Sequence, residues 1–307
     1  LTRNWEQLLL ISAALKTRLL QNVYEKKQTA KELASANDYD LRATEIVMEA
    51  LCELGLVACY QSQYEIKPAA YPLVKKDHPD YQANGILHAA RRIGNWARLD
   101  KAISTGKSQT SKREPEELTA FIGAMDEFSQ SIAPQVVSAA LKELPEAKTA
   151  LDLGGAMGTY AKLFSEKGLG VTLMDTPAVI EIAKKELSGS DINLVAGDFT
   201  ESLPKGLFDI ILLSNIAHIY KPEKNAHLLK LVSESLAENG LALIIDWVKG
   251  KSTGAAMFAV NMLIHTAGGG TWTLEQFRSW IEQAGLKFKS VRDLADADQK
   301  LLIAKKN

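Results

Sequence analysis

After Pro145 the chain alternates short apolar runs with helical segments: "TALDLG", "VTLMD", "NLVAGD", "DIILLSN" and "LALIIDWV", each followed by a helix or loop. Runs this short, apolar throughout and separated by amphipathic stretches, are strands buried on both faces. Only a parallel sheet with crossover helices provides that burial. The C-terminus departs from the pattern, because helix "TLEQFRSWIEQAG" leads into "LKFKSVRDL", the turn "ADADQ" and "KLLIAKK", a closing hairpin that adds an antiparallel strand. The fold class is therefore α/β: a doubly wound, Rossmann-like, mostly parallel sheet with a C-terminal antiparallel hairpin.

The first hundred residues read differently. Leu8, Leu9, Ile11, Leu15, Leu19 and Val23 recur at helical spacing, which predicts one long helix from Trp5 to about Glu25. Two shorter helices follow, the first opened by Thr29 with Glu32 at capping-box spacing, and "ACYQSQYEIKP" alternates like a hairpin. Three helices and a hairpin make a mainly α, winged-helix pattern, a shape that can bind DNA. Its third helix carries Asp40, Glu45, Glu49 and Glu53 against Arg42 alone, a face that phosphates repel, so dimerisation or scaffolding is expected instead. The polar link "STGKSQTSKREPEE" marks the joint. The expected organisation is a winged-helix-like dimerisation domain over 1–105, a helical linker contributing to a substrate pocket over 106–145, and a catalytic domain over 146–307.

A chain of 307 residues with a formal net charge of −1 has no overall attraction for nucleic acid or anionic lipid. No apolar run approaches the roughly 18 residues of a membrane span, and the start reads as an amphipathic helix, not a signal peptide. Cys52 and Cys59 form neither a metal-ligand spacing nor a disulfide framework, which fits a reducing, cytoplasmic setting.

"LDLGGAMGTY", residues 151–160, is the turn after the first strand, where open α/β sheets place their ligands. Gly154, Gly155 and Gly158 would let the backbone approach a ligand closely, although any tight strand-to-helix turn can be rich in glycine. The dinucleotide fingerprint G-x-G-x-x-G is not met, since Ala156 stands where its second glycine belongs. Asp152 would repel a pyrophosphate and suit a cationic amino-acid group or sulfonium. Asp175 ends the second strand, where an acid can accept from both ribose hydroxyls; Asp198 ends the third, where it can accept from an adenine amino group with Phe199 packed on the ring. Each acid alone could be a cap or turn former. Together they select an adenosine without phosphates.

The layout is similar to the class I S-adenosylmethionine (SAM)-dependent methyltransferases. It more closely resembles the two-domain O-methyltransferases of the plant caffeate and hydroxyindole type and their bacterial polyketide and pigment tailoring relatives. "FIGAMDEFS", "ALDLGGAMG", "LMDTPAVIEIAKK", "GDFTESLP", "HLLKLVSESLAENGLALIIDWV" and "NMLIHTAGGGTWTLEQFRSWIEQAGL" carry the likeness in order and spacing across nearly the whole chain. The resemblance implies SAM as cofactor, S-adenosylhomocysteine (SAH) as product, no metal, a homodimer through the N-terminal domain, and Ser214 among the residues around the cofactor.

Methyl transfer also needs a group to take the acceptor's proton, and histidine suits that task near neutral pH. His218, just past the fourth strand, falls where the resembled enzymes carry their general base, and Asp246 aligns with a helper carboxylate that is usually glutamate. The family's second helper glutamate would fall near Thr271, where none stands. His265 is the alternative base, and His227 reads as structural. If the family arrangement holds, Met125, Phe128, Met257, Phe258, Met262 and Trp272 gather around the acceptor with His265, an adaptable apolar wall for an aromatic or polycyclic ring. The expected reaction is methyl transfer to a hydroxyl. C- or N-methylation, or a silent cofactor-binding protein, stay open.

Overall fold

The structure, a computed structural model, describes residues 4–111 and 113–307. The chain forms two compact units, one of residues 1–94 with 113–127 and the other of 95–112 with 128–307.

In the first unit the helices Asn4–Lys16, Leu19–Glu25, Ala30–Asn37 and Leu41–Glu53 close over a core that includes Leu20, Leu33, Met48 and Leu51. Strands Val57–Tyr60 and Gln63–Ile66 pair as the expected hairpin, and Gln28–Thr29 adds a short third strand. Thr29 and Glu32 exchange both capping-box bonds. The single long first helix is corrected to two. Thr17 bonds back to the Ala13 carbonyl and Arg18 turns left-handed at φ 58°, so the chain restarts at Leu19. On the helix Leu41–Glu53, Glu45, Glu49 and Glu53 are exposed.

The second unit is built on a seven-stranded sheet. We number its strands β1 (Thr149–Leu153), β2 (Gly170–Asp175), β3 (Asn193–Ala196), β4 (Phe208–Ser214), β5 (Leu236–Asp246), β6 (Leu286–Leu294) and β7 (Ala297–Lys306). Their order across the sheet is β6-β7-β5-β4-β1-β2-β3. The first five are mutually parallel, and β7 runs antiparallel between β5 and β6. Both faces are buried, as the continuous apolar runs require. Ala150, Ile210, Leu212, Leu243 and Ile303 point into one core layer, and Leu151, Leu153, Ile211, Ile244 and Leu302 into the other. The helices Thr159–Glu166 and Pro177–Glu186 supply Phe164 and Ile180 to the first layer; Pro222–Ser235 and Leu274–Gln283 supply Leu228 and Phe277 to the second.

Strand order reverses at β1, whose neighbours are β2 and β4. The crevice outside the carboxyl ends of these strands is where such a sheet binds ligands. The opposite end is pinned by Asp209. One of its oxygens accepts from the Lys148 and Thr149 backbone N–H groups and the Thr149 hydroxyl at 2.8–3.0 Å. Hydrogen bonds to a charged acceptor are the stronger kind. Asp209→Ala is therefore expected to lower the free energy of unfolding in urea by about 2 kcal/mol, with SAH affinity unchanged because the carboxyl ends of the strands are untouched.

Candidate active site

The turn after β1 is shaped by its own packing. A Cβ on Gly155 would lie 2.7 Å from the Leu173 side chain and 2.8 Å from the Asp152 carboxyl. One on Gly154 would meet Ile216 at 2.5 Å, and Gly154 and Gly158 sit at φ 68° and 82°. Backbone conformation thus favours glycine at 154 and 158, and crowding against Leu173 and Asp152 favours it at 155, before any ligand is considered. Ala156 is left-handed too, at φ 53°, a conformation that costs a residue with a Cβ about 1–2 kcal/mol. In return its N–H points at Asp175 Oδ2, 3.2 Å away.

Asp152 and Asp175 lie on the same face of the sheet as Tyr160. Asp152 is only 1% exposed, and neither carboxylate oxygen has a hydrogen-bond partner among the described residues. Burial raises its pKa to about 7, the nearby Asp175 adds to the rise, and the Ala161 N–H pulls the other way without reaching hydrogen-bonding geometry. Asp175 is buried and also raised by desolvation, partly offset by its bonds from Thr176 and Ala156. Asp198 lies two residues beyond the end of β3, exposed, and accepts at one oxygen from the Thr200 N–H and hydroxyl, which hold its pKa low. Phe199 is buried in the second core layer beside Gly154. Ser214, ending β4, lies 3.3 Å from the Tyr160 hydroxyl.

Across the reversal point stands the second group. His218 occupies a short turn, Ala217–Ile219, immediately after β4. Its Nδ1 lies 2.9 Å from Asp246 Oδ1, and its backbone N–H donates to Asp246 Oδ2 at 3.0 Å. Asp246 ends β5 with no exposed surface and also accepts from the Trp247 N–H at 2.7 Å. A carboxylate at Nδ1 places the proton there and leaves Nε2 with its lone pair. The shorter acid reaches because β4 and β5 are adjacent and end level, Ser214 opposite Ile245. The imidazole and the Phe258 ring meet at right angles with centroids 4.9 Å apart, and Phe258 stacks on Trp247 at 4.6 Å.

His265 is placed otherwise. Its Nδ1 lies 2.7 Å from the Asn261 carbonyl, which can only accept. Its Nε2 lies 3.0 Å from Asn95 Nδ2, whose Oδ1 already accepts from Arg98. Both ring nitrogens are engaged. Trp272 donates from Nε1 to the Ala217 carbonyl at 2.9 Å. Met262 is buried, whereas Met257 is 63% and Phe128 38% exposed. Met125 falls in the first unit. Thr271 spends its hydroxyl on the Ala255 carbonyl, so no second carboxylate faces His218 from that position. His227 is exposed on its helix.

Residue-by-residue reading missed two tyrosines. Burial pushes the Tyr160 hydroxyl up to about 12, with Ser214 and Ser129 as partners and Asp152 close by. Tyr220 is likewise pushed up to about 12 by burial, reinforced by Asp198 and Asp175. Tyr160 follows the glycine turn by two positions and Tyr220 follows His218 by two, the only signal either carries.

The O-methyltransferase domain profile matches residues 87–287, well over half of the chain. The chain belongs to the O-methyltransferase family. Its relatives include the 3-hydroxy-5-methyl-1-naphthoate 3-O-methyltransferase of Streptomyces sahachiroi, 26% identical over 90% of this chain and 84% of that protein. Another is the acetylserotonin O-methyltransferase of Bos taurus, 26% identical over 82% and 79% respectively. Among solved structures, PigF with SAH superposes at a TM-score of 0.84 over 99% of this chain and 97% of its own, at 19% identity. This O-methyltransferase-family protein is a SAM-dependent methyltransferase whose cofactor is SAM. The buried Asp152 carboxylate, with no hydrogen-bond partner among the described residues, fits a cofactor that brings a cationic group to this edge.

A buried aspartate with a raised pKa has a defined effect on stability. The unfolded state ionises near the ordinary value of 3.8 and the folded state near 7, so the folded state holds the extra proton between them. The cofactor-free methyltransferase should lose stability as pH rises from about 4 to about 7. Asp152→Asn should flatten that slope in urea unfolding curves, gaining on wild type most at pH 8.

Proposed function

We propose that the protein transfers the methyl group of SAM to a hydroxyl of a small aromatic or polycyclic acceptor, with His218 as general base. The observation that carries this reading is the His218–Asp246 pair, which leaves Nε2 as the free lone pair at the strand edge. SAM, when bound, supplies a methyl carbon already activated on sulfonium. Asp152, Asp175, Asp198, Phe199 and Ser214, with the turn of Gly154, Gly155 and Gly158, would hold it. Nε2 of His218 takes the hydroxyl proton as the oxygen becomes the nucleophile, and Asp246 balances the imidazolium that forms. His265 is the weaker candidate, since the lone pair of its Nε2 already accepts from Asn95 Nδ2.

An aromatic acceptor is supported by the naphthoate and acetylserotonin named in the relatives' activities. Phe128, Met257 and Met262 remain the proposed acceptor-side set, while the indole N–H of Trp272 is given to the Ala217 carbonyl. With no acid at Thr271, a single carboxylate orients the base, which favours an acidic hydroxyl such as a phenol. We also propose a homodimer through the first unit, supported by the exposed Trp5, Leu41, Ile46 and Tyr60 there.

His218→Ala should lower kcat on phenols by about 100-fold to 10,000-fold while SAH affinity measured by calorimetry stays within about twofold. His265→Gln should cost less. Retention of wild-type kcat by His218→Ala contradicts the assignment of the base, and SAH binding without turnover of any phenol contradicts the activity. Sedimentation velocity should give twice the 33.6 kDa chain mass; a monomer at micromolar concentration contradicts the dimer.

A further inference from the structure

The turn that carries His218 is held from outside to an unusual degree. The carbonyl before the histidine, that of Ala217, accepts two side-chain donors, Trp272 Nε1 at 2.9 Å and Asn225 Nδ2 at 2.8 Å. The carbonyl of His218 itself accepts the Gly270 N–H at 3.0 Å. Its N–H is taken by Asp246. Gly269 lies so close beneath that a Cβ there would overlap the His218 carbonyl oxygen and lie 2.9 Å from that of Ile219. The three-residue turn has only two i→i+3 bonds of its own, from the Ile219 N–H to the Ile216 carbonyl and from the Tyr220 N–H to the Ala217 carbonyl, too short a ladder to fix its direction. Here consecutive backbone groups are instead fixed by the segment Thr266–Trp272 and by the helix Pro222–Ser235.

Trp272 is the most informative member. Its ring is half-buried against the second core layer and meets Trp280 edge-on at 5.8 Å, and its only polar atom is spent on the turn. A tryptophan N–H inside an apolar layer needs a partner, and the partner it has is the backbone next to the base. We infer that Trp272, with Gly269, is a positioning residue for His218: its indole N–H and the close approach at Gly269 set where Nε2 points. This rests on His218 being the base. It gives Trp272 a function through the histidine, distinct from the contact with the acceptor expected from sequence. A misplacement of about 1 Å at the base can cost about 100-fold in rate, so the contact matters to chemistry beyond its share of stability.

The test is a double-mutant cycle on the full chain, read as kcat and acceptor KM with the best phenol of a panel. Amide hydrogen exchange of the peptide spanning 215–221 serves as a readout independent of turnover. Trp272→Phe keeps an aromatic side chain and removes the donor with the five-membered ring. It should lower kcat about 10-fold to 100-fold, leave the acceptor KM within about twofold, and speed exchange at His218. In a His218→Ala background it should cost nothing further, because the two act as one unit. Gly269→Ala should give the same split, and it stands in if Trp272→Phe melts below the assay temperature. The inference is overturned if Trp272→Phe raises the acceptor KM with kcat unchanged, if its loss is as large in the His218→Ala background, or if neither kcat nor exchange moves. Wild-type kcat in His218→Ala would defeat the base assignment instead, and the exchange data would still report whether the clamp exists.

Discussion

The Asp246 carboxylate organises the acceptor half of this site. It sits at the last residue of β5 with no solvent contact, and three donors converge on it: the His218 N–H, the His218 ring and the Trp247 N–H. A buried carboxylate is costly unless its lone pairs are satisfied, so this network holds together only while the turn after β4 keeps its place. The same turn, through its Ala217 and His218 carbonyls, is also bonded to Trp272 and Gly270 of the segment Thr266–Trp272. Removing Asp246 would leave the turn without its inward anchor and the imidazole without a preferred tautomer.

The sheet divides its chemistry by strand. Asp152 lies in β1, Asp175 ends β2 and Asp198 follows β3, whereas Ser214 ends β4, His218 follows it and Asp246 ends β5. Asp152 shares a face with Tyr160, to which Ser214 also bonds, whereas Asp246 follows Ile245 onto the layer of Ile244 and Phe277. The first half holds an acid with no hydrogen-bond partner among the described residues; the second holds an acid that accepts from three donors. That contrast suits a cationic ligand on one side and an oriented base on the other.

Much of this was legible in the chain because it depends on local pattern. The five parallel strands and the closing hairpin follow from apolar runs of strand length, and the cap at Thr29 follows from its spacing to Glu32. The pairing of His218 with Asp246 came through resemblance, since 28 residues separate them and only the adjacency of β4 and β5 brings them together. The break at Arg18 left no apolar irregularity to read. The bonds of Trp272 to Ala217 and of His265 to Asn95 join residues 55 and 170 positions apart, which no periodicity encodes. The glycines of the turn were read as room for a ligand, and in the structure Gly154 and Gly158 are left-handed and side chains at the turn would crowd Leu173, Leu187 and Ile216.

The orientation of the base is the claim on which the proposed chemistry depends, and it is directly observable. Long-range nitrogen–proton correlation spectra of the full chain, with His218 assigned by substitution, should show its neutral ring carrying the proton on Nδ1 and a bare Nε2. A ring protonated on Nε2, or one exchanging freely between tautomers, would contradict the account.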